Sequence, residues 1–354
     1  MSIRSDITED EGSGAPIHLV EDPWQAIEYC HERGWTDGLP VVPPLAGLVE
    51  EFLDAVGWDA GDVLALEPVR GRAITADKVV AAAVMAGCLP SYLPVIAAAL
   101  RAMSSSDYKL HGTVTSTGGA APLVIVNGPV RDEIGLNYAG NLFGPGARAN
   151  ATIGRTLRLL FLNCLDARPG VLDRSTQGNF GKYCGCFAEH EEASPWEPFH
   201  ISRGLAAEQS AVTVFAAESG HNILCHGTDE PEQLLTIAAD TMAALGSFSP
   251  GQSLLVLAPE HVAILRRGGL SRADVQEFLY ARARRTLAEL KRSGKLEADR
   301  VVRDGDEQRW VHRGEGPDDV HVLVGGGDAG GHSAFFPSWS RVRGSLAVTV
   351  PIDG

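Results

Sequence analysis

The sequence predicts an α/β protein, with a helix-rich N-terminal part followed by a mainly parallel sheet built from βαβ units. Three observations carry this. Helical patterns with start and stop signals fill the first hundred residues. Apolar β-type runs then recur, each with a turn behind it. The last three runs, 212–216, 254–257 and 321–324, are separated by helical patterns at 231–245 and 271–290, the spacing of strand–helix–strand units.

The chain has 354 residues, which suggests two domains or one large one at about 150 residues per domain. Residues 1–20 read as a mobile, acidic tail with no signal peptide's apolar stretch. Residues 21–205 read as the helix-rich part with long polar loops, and 206–354 as a small α/β part. Asp22 before Pro23 opens a first helix to Arg33, with Trp24, Ile27 and Cys30 on one face. Pro43 and Pro44 delay the second helix until Leu45, and it runs to Val56. Thr75 caps a third over 76–86, which Gly87 ends. The Ala-rich stretch 90–103 is a fourth. Residues 113–117 and 123–126 read as strands, and 147–162 as a helix carrying Arg148, Arg155 and Arg158. Residues 295–313 look like a polar hairpin turning at Asp304-Gly305.

Composition narrows the function classes. Lys and Arg number 30 against 45 Asp and Glu, a net charge of −15 that repels phosphate backbones, so no nucleic-acid partner is expected. The longest apolar stretch, 79–103, is broken by Pro90, Ser91, Pro94 and Arg101, so no membrane span is expected. Six cysteines without an export signal read as reduced thiols in the cytoplasm.

The loop 166–204 has little periodicity, and loops that long are functional or misread. It holds Lys182, Cys184, Cys186, Glu189, His190, Glu191 and Glu192. A Cys-x-Cys pair can chelate a soft metal or relay a disulfide, and a thiolate near Lys182 would be the more nucleophilic. The competing reading is a buried pair of small residues beside a solvated acidic turn. Behind the run 212–216 come Glu218, His221, Cys225 and His226, and behind 254–257 comes His261. Loops past the carboxyl ends of parallel strands line ligand crevices, and these side chains suit zinc, iron or acid–base work. Caps and surface histidines are the plain alternative.

The glycine run from Gly325 to Gly331 could cradle an anion on backbone N–H groups, or simply pack closely. It lacks the Lys-Ser/Thr of a nucleotide-binding P-loop, so ATP is not expected. Asn141 and Asn150 could hold a substrate amide or carboxylate, or stabilise their own loop. Arg148 opens a helix, where a cation opposes the dipole unless it binds an anion.

Several of these stretches resemble an uncharacterised bacterial family. They are Gly34-Trp35-Thr36-Asp37-Gly38-Leu39-Pro40-Val41-Val42-Pro43-Pro44, residues 120–129, 141–154, 181–186 and 191–198, with His221, His226, 259–261 and the glycine run. The likeness spans roughly residues 22–352. Members resemble the large partner of small proteins named for a selenocysteine- or cysteine-Gly-Ser-Cys motif. The resemblance implies a two-component enzyme with a thiol or selenol on the small partner. It also implies that Cys186, which matches a family cysteine where Cys184 and Cys225 do not, acts alone as nucleophile or ligand.

The expectation is therefore a soluble, oligomeric enzyme for a small polar substrate, a thiol-dependent oxidoreductase or lyase. Cys186, His221, His226, His261 and Glu191 would be catalytic, and Asn141, Arg148, Asn150 and Lys182 would hold the substrate. Cys186 would alkylate faster than Cys30, because Cys30, Cys88 and Cys164 read as core residues. One alternative is a metal-dependent hydrolase or hydratase with a transition metal on Cys and His. Another is a non-catalytic subunit that binds a ligand or scaffolds the thiol partner.

Overall fold

The computed structural model describes residues 18–245, 248, 251–296, 299–339 and 344–353. Helices α1 (Pro23–Glu32) and α2 (Ala46–Val56) come first, then a ribbon of β1 (Val63–Glu67) and β2 (Arg72–Thr75). The chain continues through α3 (Ala76–Ala86), α4 (Leu93–Ser104), α5 (Leu110–Thr115), β3 (Ala121–Asn127), α6 (Val130–Glu133), α7 (Arg148–Asn163) and β4 (Cys186–Ala188). Next are α8 (Phe199–Ser202), β5 (Ala211–Ala217), β6 (His221–Leu224), α9 (Pro231–Ala244), β7 (Ser253–Leu257), α10 (Pro259–Arg267) and α11 (Arg272–Arg282). The last elements are β8 (Arg284–Thr286), α12 (Leu287–Arg292), β9 (Trp310–His312), β10 (Val320–Val324), β11 (His332–Pro337) and β12 (Val348–Pro351).

The early helices lie where their end signals put them. The Asp22 carboxylate accepts from the Gln25 amide at 2.9 Å, and Gly87 ends α3 in the left-handed region.

Two four-stranded sheets stack face to face, one ordered β12-β5-β3-β4 and the other β10-β7-β11-β6. Strand alternation divides their side chains among three apolar layers. Val124, Val126, Cys186, Ala188, Val212 and Val214 face α3, α4 and α7. Leu123, Ile125, Phe187 and Phe215 face the second sheet, meeting Leu254, Val256, Leu323 and Phe336. Leu255, Leu257, Val322 and Phe335 face α9, α10 and α11 on the far side. The order is helices, sheet, sheet, helices. The division expected near residue 205 falls between α8 and β5, and β5 and β12 complete the sheet begun by β3 and β4.

The mixed helix-and-sheet class holds, but the mainly parallel sheet does not. Six of the eight strand pairings among the described residues are antiparallel. The two parallel pairs, β3 with β4 and β7 with β10, each have helices in their connection. The strand at Val212 lies in a different sheet from those at Leu254 and His321. Every residue of β5 is buried, and a strand apolar on both faces carries no signal of direction or sheet.

Residues 110–115 are helix α5 rather than a strand, tertiary packing of Leu110, Thr113 and Val114 outweighing their β-type composition. The helix expected over 271–290 stops at Arg282, and Thr286 starts α12 with its own capping box. β9 pairs with β8 instead of folding back about Gly305. Residues 1–17 of the expected tail lie outside the described residues. No single helix among the described residues is long and apolar enough to cross a membrane.

Candidate functional site

A cavity of about 610 Å³ opens at the amino ends of β3 and β4. Its wall carries Arg158 from α7 and Asp173, Ser175 and Lys182 from the segment before β4. An apolar shell of Val114, Ala120, Pro122 and Phe161 backs the same charged groups. The Lys182 ammonium donates to both Asp173 oxygens, at 2.7 and 2.9 Å, and to the Ser175 hydroxyl at 2.5 Å. Asp173 is 4% exposed. It also takes the Ser175 hydroxyl at 2.5 Å and amide at 3.1 Å, and one Arg158 nitrogen at 3.4 Å.

Burial pulls Lys182 below the usual lysine range, with Asp173 opposing and Arg158 reinforcing the shift. Burial also works against the Asp173 carboxylate, but Lys182 and Ser175 outweigh it and hold Asp173 below its ordinary value. The Lys182 ammonium therefore gives up its proton more readily than an exposed lysine does, beside a carboxylate that holds its charge to lower pH than an exposed one.

Close backbone approach builds this wall. A Cβ at Gly154 in α7 would stand 2.5 Å from the Gly185 nitrogen, and one at Gly185 would stand 2.5 Å from the Pro122 carbonyl. Asn179 caps the short turn holding Lys182, accepting from the Gly181 amide at 2.8 Å. One helical step from Arg158, Arg155 grips Asp37 through two 2.8 Å bonds and donates to the Leu39 and Pro40 carbonyls. The Trp35–Pro40 stretch is thereby clamped at the rim. Phe180, 90% exposed, and Tyr183 stand at the mouth.

Of the residues expected to be catalytic or to hold substrate, Lys182 alone lines this cavity; Arg158, read only as part of a helix, and Asp37, read only in the resemblance motif, line it as well. Cys186 opens β4, 8% exposed, on the helix-facing side of the first sheet. Burial pushes its thiol up, and Cys184 and Cys88 add to the shift, so it is a protonated core residue and not an activated nucleophile. His261 is fully buried in α10 under the second sheet, two layers away. One of its ring nitrogens bonds the Cys225 carbonyl at 2.9 Å and the other the Ser333 hydroxyl at 2.6 Å. Both nitrogens are thus committed to the fold. His221 begins β6 and is exposed, and His226 meets His332 at 3.3 Å. The expected gathering of Cys186 with three histidines does not form, because the sheets that separate them put neighbouring titratable clusters on different layers.

Glu191 belongs to a polar knot at the opposite end of β3. It accepts from Asn127 at 2.9 Å and the Gly128 amide at 2.8 Å, and it pairs with Arg131 at 3.1 Å. The loop 137–150 holds itself. Asn150 exchanges two hydrogen bonds with the Asn137 backbone, and Asn141, at φ 57°, donates to the Pro145 carbonyl at 2.7 Å. Arg148 donates to the Gly87 and Cys88 carbonyls at the end of α3, where a cation is favourable, so it binds a helix terminus rather than a substrate anion. The Gly325 and Gly326 amides donate to the Leu257 and Tyr138 carbonyls instead of an anion. Among the described residues no set of three or more His, Cys, Asp or Glu is placed to hold a metal ion.

Asp173 and Ser175 carry no role in the sequence reading, and Asp37 stands there only in the motif behind the resemblance. Their signal is faint: an Asp-x-Ser turn with a lysine nine residues on, and two arginines three apart on one helix face.

Thiol accessibility gives a direct check. All six cysteines are free, and Cys184 is exposed where Cys186, Cys30, Cys88 and Cys225 are buried. Cys184 should be alkylated first, with Cys186 as slow as Cys30, measured by mass spectrometry of timed iodoacetamide reactions. Fast labelling of Cys186 in the folded chain would refute this placement. No protein-family model, curated protein or solved structure matches the chain.

Proposed function

We propose that the chain is an enzyme of the lyase or isomerase kind, moving a proton on a small carboxylate-bearing substrate, with Lys182 as the group that takes and returns it. The observation that carries this reading is the Lys182 amine, lowered by burial, held by Asp173 and Ser175, and set in the wall of a cavity of metabolite size. The cavity wall holds two cations, Lys182 and Arg158, and two carboxylates, Asp37 and Asp173. Asp37 is taken by Arg155 and Asp173 by Lys182, which leaves Arg158 as the cation with the weakest pairing and the place for an anionic ligand. Arg158 makes one long contact with Asp173, and its planar fork suits a substrate carboxylate.

In this mechanism the substrate carboxylate sits on Arg158. Lys182 as the free amine removes a proton from the carbon beside an activating carbonyl or carboxylate. The ammonium so formed, stabilised by Asp173, gives the proton to a second position or to the leaving group. Reduced thiols and a cytoplasmic setting belong to the same proposal.

A second reading keeps the thiol chemistry that the resemblance implies and moves it to Cys184, whose exposure favours it while partial burial raises its thiol and opposes it. Its thiolate would attack a disulfide or selenosulfide on the small partner protein, forming a mixed disulfide and releasing the partner's other chalcogen as leaving group.

The test is a panel of small oxo, hydroxy and unsaturated carboxylic acids beside matched amides and amines. Carboxylates should raise the melting temperature, and at least one should exchange a carbon-bound proton with D2O by NMR. No carboxylate stabilisation and no exchange across the panel would overturn the proposal.

A further inference from the structure

We propose that His226 and His332 form a binding site for a tetrahedral divalent metal of the zinc class, its two remaining positions open to water or a small anion. The site is separate from the Lys182 cavity and does not rest on the reading given to it. β6 and β11 pair antiparallel with Leu224 opposite His332, and the Cys225 amide extends the ladder by donating to the Gly331 carbonyl at 2.9 Å. Alternation along the strand puts Asn222, Leu224 and His226 on the face that carries His332. Both histidines are exposed, and their Nε2 atoms stand 3.3 Å apart.

Two imidazole nitrogens bound at about 2.0–2.1 Å to one tetrahedral ion stand about 3.3–3.4 Å from each other. The observed separation is that of two ligands sharing an ion. The outer nitrogen of His332 is also provided for. Its Nδ1 lies 3.2 Å from Oδ1 and 3.1 Å from Nδ2 of Asn222. A metal at Nε2 fixes the proton on Nδ1, which then donates to Asn222 Oδ1, the support that metal-binding histidines usually have.

The floor beneath the pair is rigid. His261 is tied to the Cys225 carbonyl and the Ser333 hydroxyl, and a Cβ at Gly331 would stand 2.8 Å from the His261 ring. A Cβ at Gly330 would lie 3.4 Å from His332 and 3.6 Å from His226, so glycine there brings the turn in close under both rings. Imidazole ligands and an open, solvent-facing geometry suit zinc and cobalt, with nickel and copper as competitors.

The experiment is calorimetric titration of the chelator-stripped full chain with Zn²⁺, and absorption spectroscopy with Co²⁺. One equivalent should bind, and Co²⁺ should give the intense visible bands of a tetrahedral site. His226→Ala and His332→Ala should each weaken binding by about 100-fold, and Asn222→Ala by about tenfold. Asn222→Asp, which keeps an acceptor for Nδ1, should retain most of the affinity. His221→Ala, on the opposite face of β6, should bind as the parent does. Failure to bind Zn²⁺, binding that survives the double His226→Ala/His332→Ala change, or binding lost through Cys184→Ser instead would each overturn the proposal.

Discussion

Replacing Lys182 by Met should reduce turnover, or solvent exchange of the substrate proton, by about a thousandfold, the middle of the range for removing a general base. Met keeps the length of the stem and removes the amine. The change also leaves Asp173 buried with only the long Arg158 contact and two Ser175 bonds, and an orphaned buried carboxylate costs about 3–5 kcal/mol. Loss of fold is therefore the confounding outcome. The double change Lys182→Met/Asp173→Asn removes both charges and should recover most of the melting temperature while staying inactive. Lys182→Arg keeps the charge but holds its proton, and should be stable and equally inactive.

The pH profile separates catalysis from scaffolding. The amine must be neutral to accept a proton, so activity should rise with pH through the Lys182 pKa, which burial sets below the ordinary 10.5. Arg158 pushes that value further down, so Arg158→Met should move the rising limb to higher pH. A Lys182→Met protein that folds and keeps its activity would end the proposal.

What the sequence reveals and what it hides follow a physical divide. The early helices were readable because their signals are local: Asp22 and Pro23 start α1, and Gly87 ends α3. Strand direction was not readable. β5 is buried on both faces, so its run Ala-Val-Thr-Val-Phe-Ala-Ala fits either sheet in either direction. The site was legible only at Lys182, and there for a reason the structure changes. Lys182 was singled out as a neighbour of Cys186, yet Cys186 enters the core as part of β4 while Lys182 stays in the turn before it.

Asp37 lies 118 positions from Arg155, and no periodicity connects them. Clusters dense in titratable groups proved to be spent on holding distant parts of the fold together. Glu191 reaches back to the Asn127 amide and the Gly128 N–H, and Asn150 ties down Asn137. Buried polar groups must find partners wherever the fold supplies them, so sequence density alone could not pick out a site assembled from α7, the 169–183 segment and the Trp35–Pro40 rim.

Glu189 should make the stability of the fold fall as pH rises through neutrality. It sits fully buried after β4, where the first sheet, α8 and the start of α11 meet. Burial raises its carboxyl to about 7. The Phe199 amide at 2.7 Å, Arg272 at 3.8 Å and Asn127 at 2.6 Å oppose the shift, and Glu191 adds to it. The folded chain thus holds a proton that the unfolded chain, near 4.5, gives up sooner. The stabilisation is complete below about pH 4.5 and is lost as pH climbs past about 7. The difference between the two values corresponds to about 3 kcal/mol.

Glu189→Gln keeps an acceptor for the Phe199 amide and cannot ionise, so its stability should not decline over this range. Below about pH 7 the parent's Glu189 is protonated as well, so Arg272 gains a counter-charge only as Glu189 ionises, and that gain is already contained in the value of about 7. His321, buried and lowered to about 3, tilts both proteins the other way, since its stabilisation is lost as pH falls below about 6.5. Subtracting the two curves cancels it. Urea unfolding at pH 5 and pH 8.5 should therefore show Glu189→Gln gaining about 2–3 kcal/mol on the parent between the two conditions. Parallel curves would mean that Glu189 stays ionised in the folded chain, with Arg272 and Asn127 outweighing its burial.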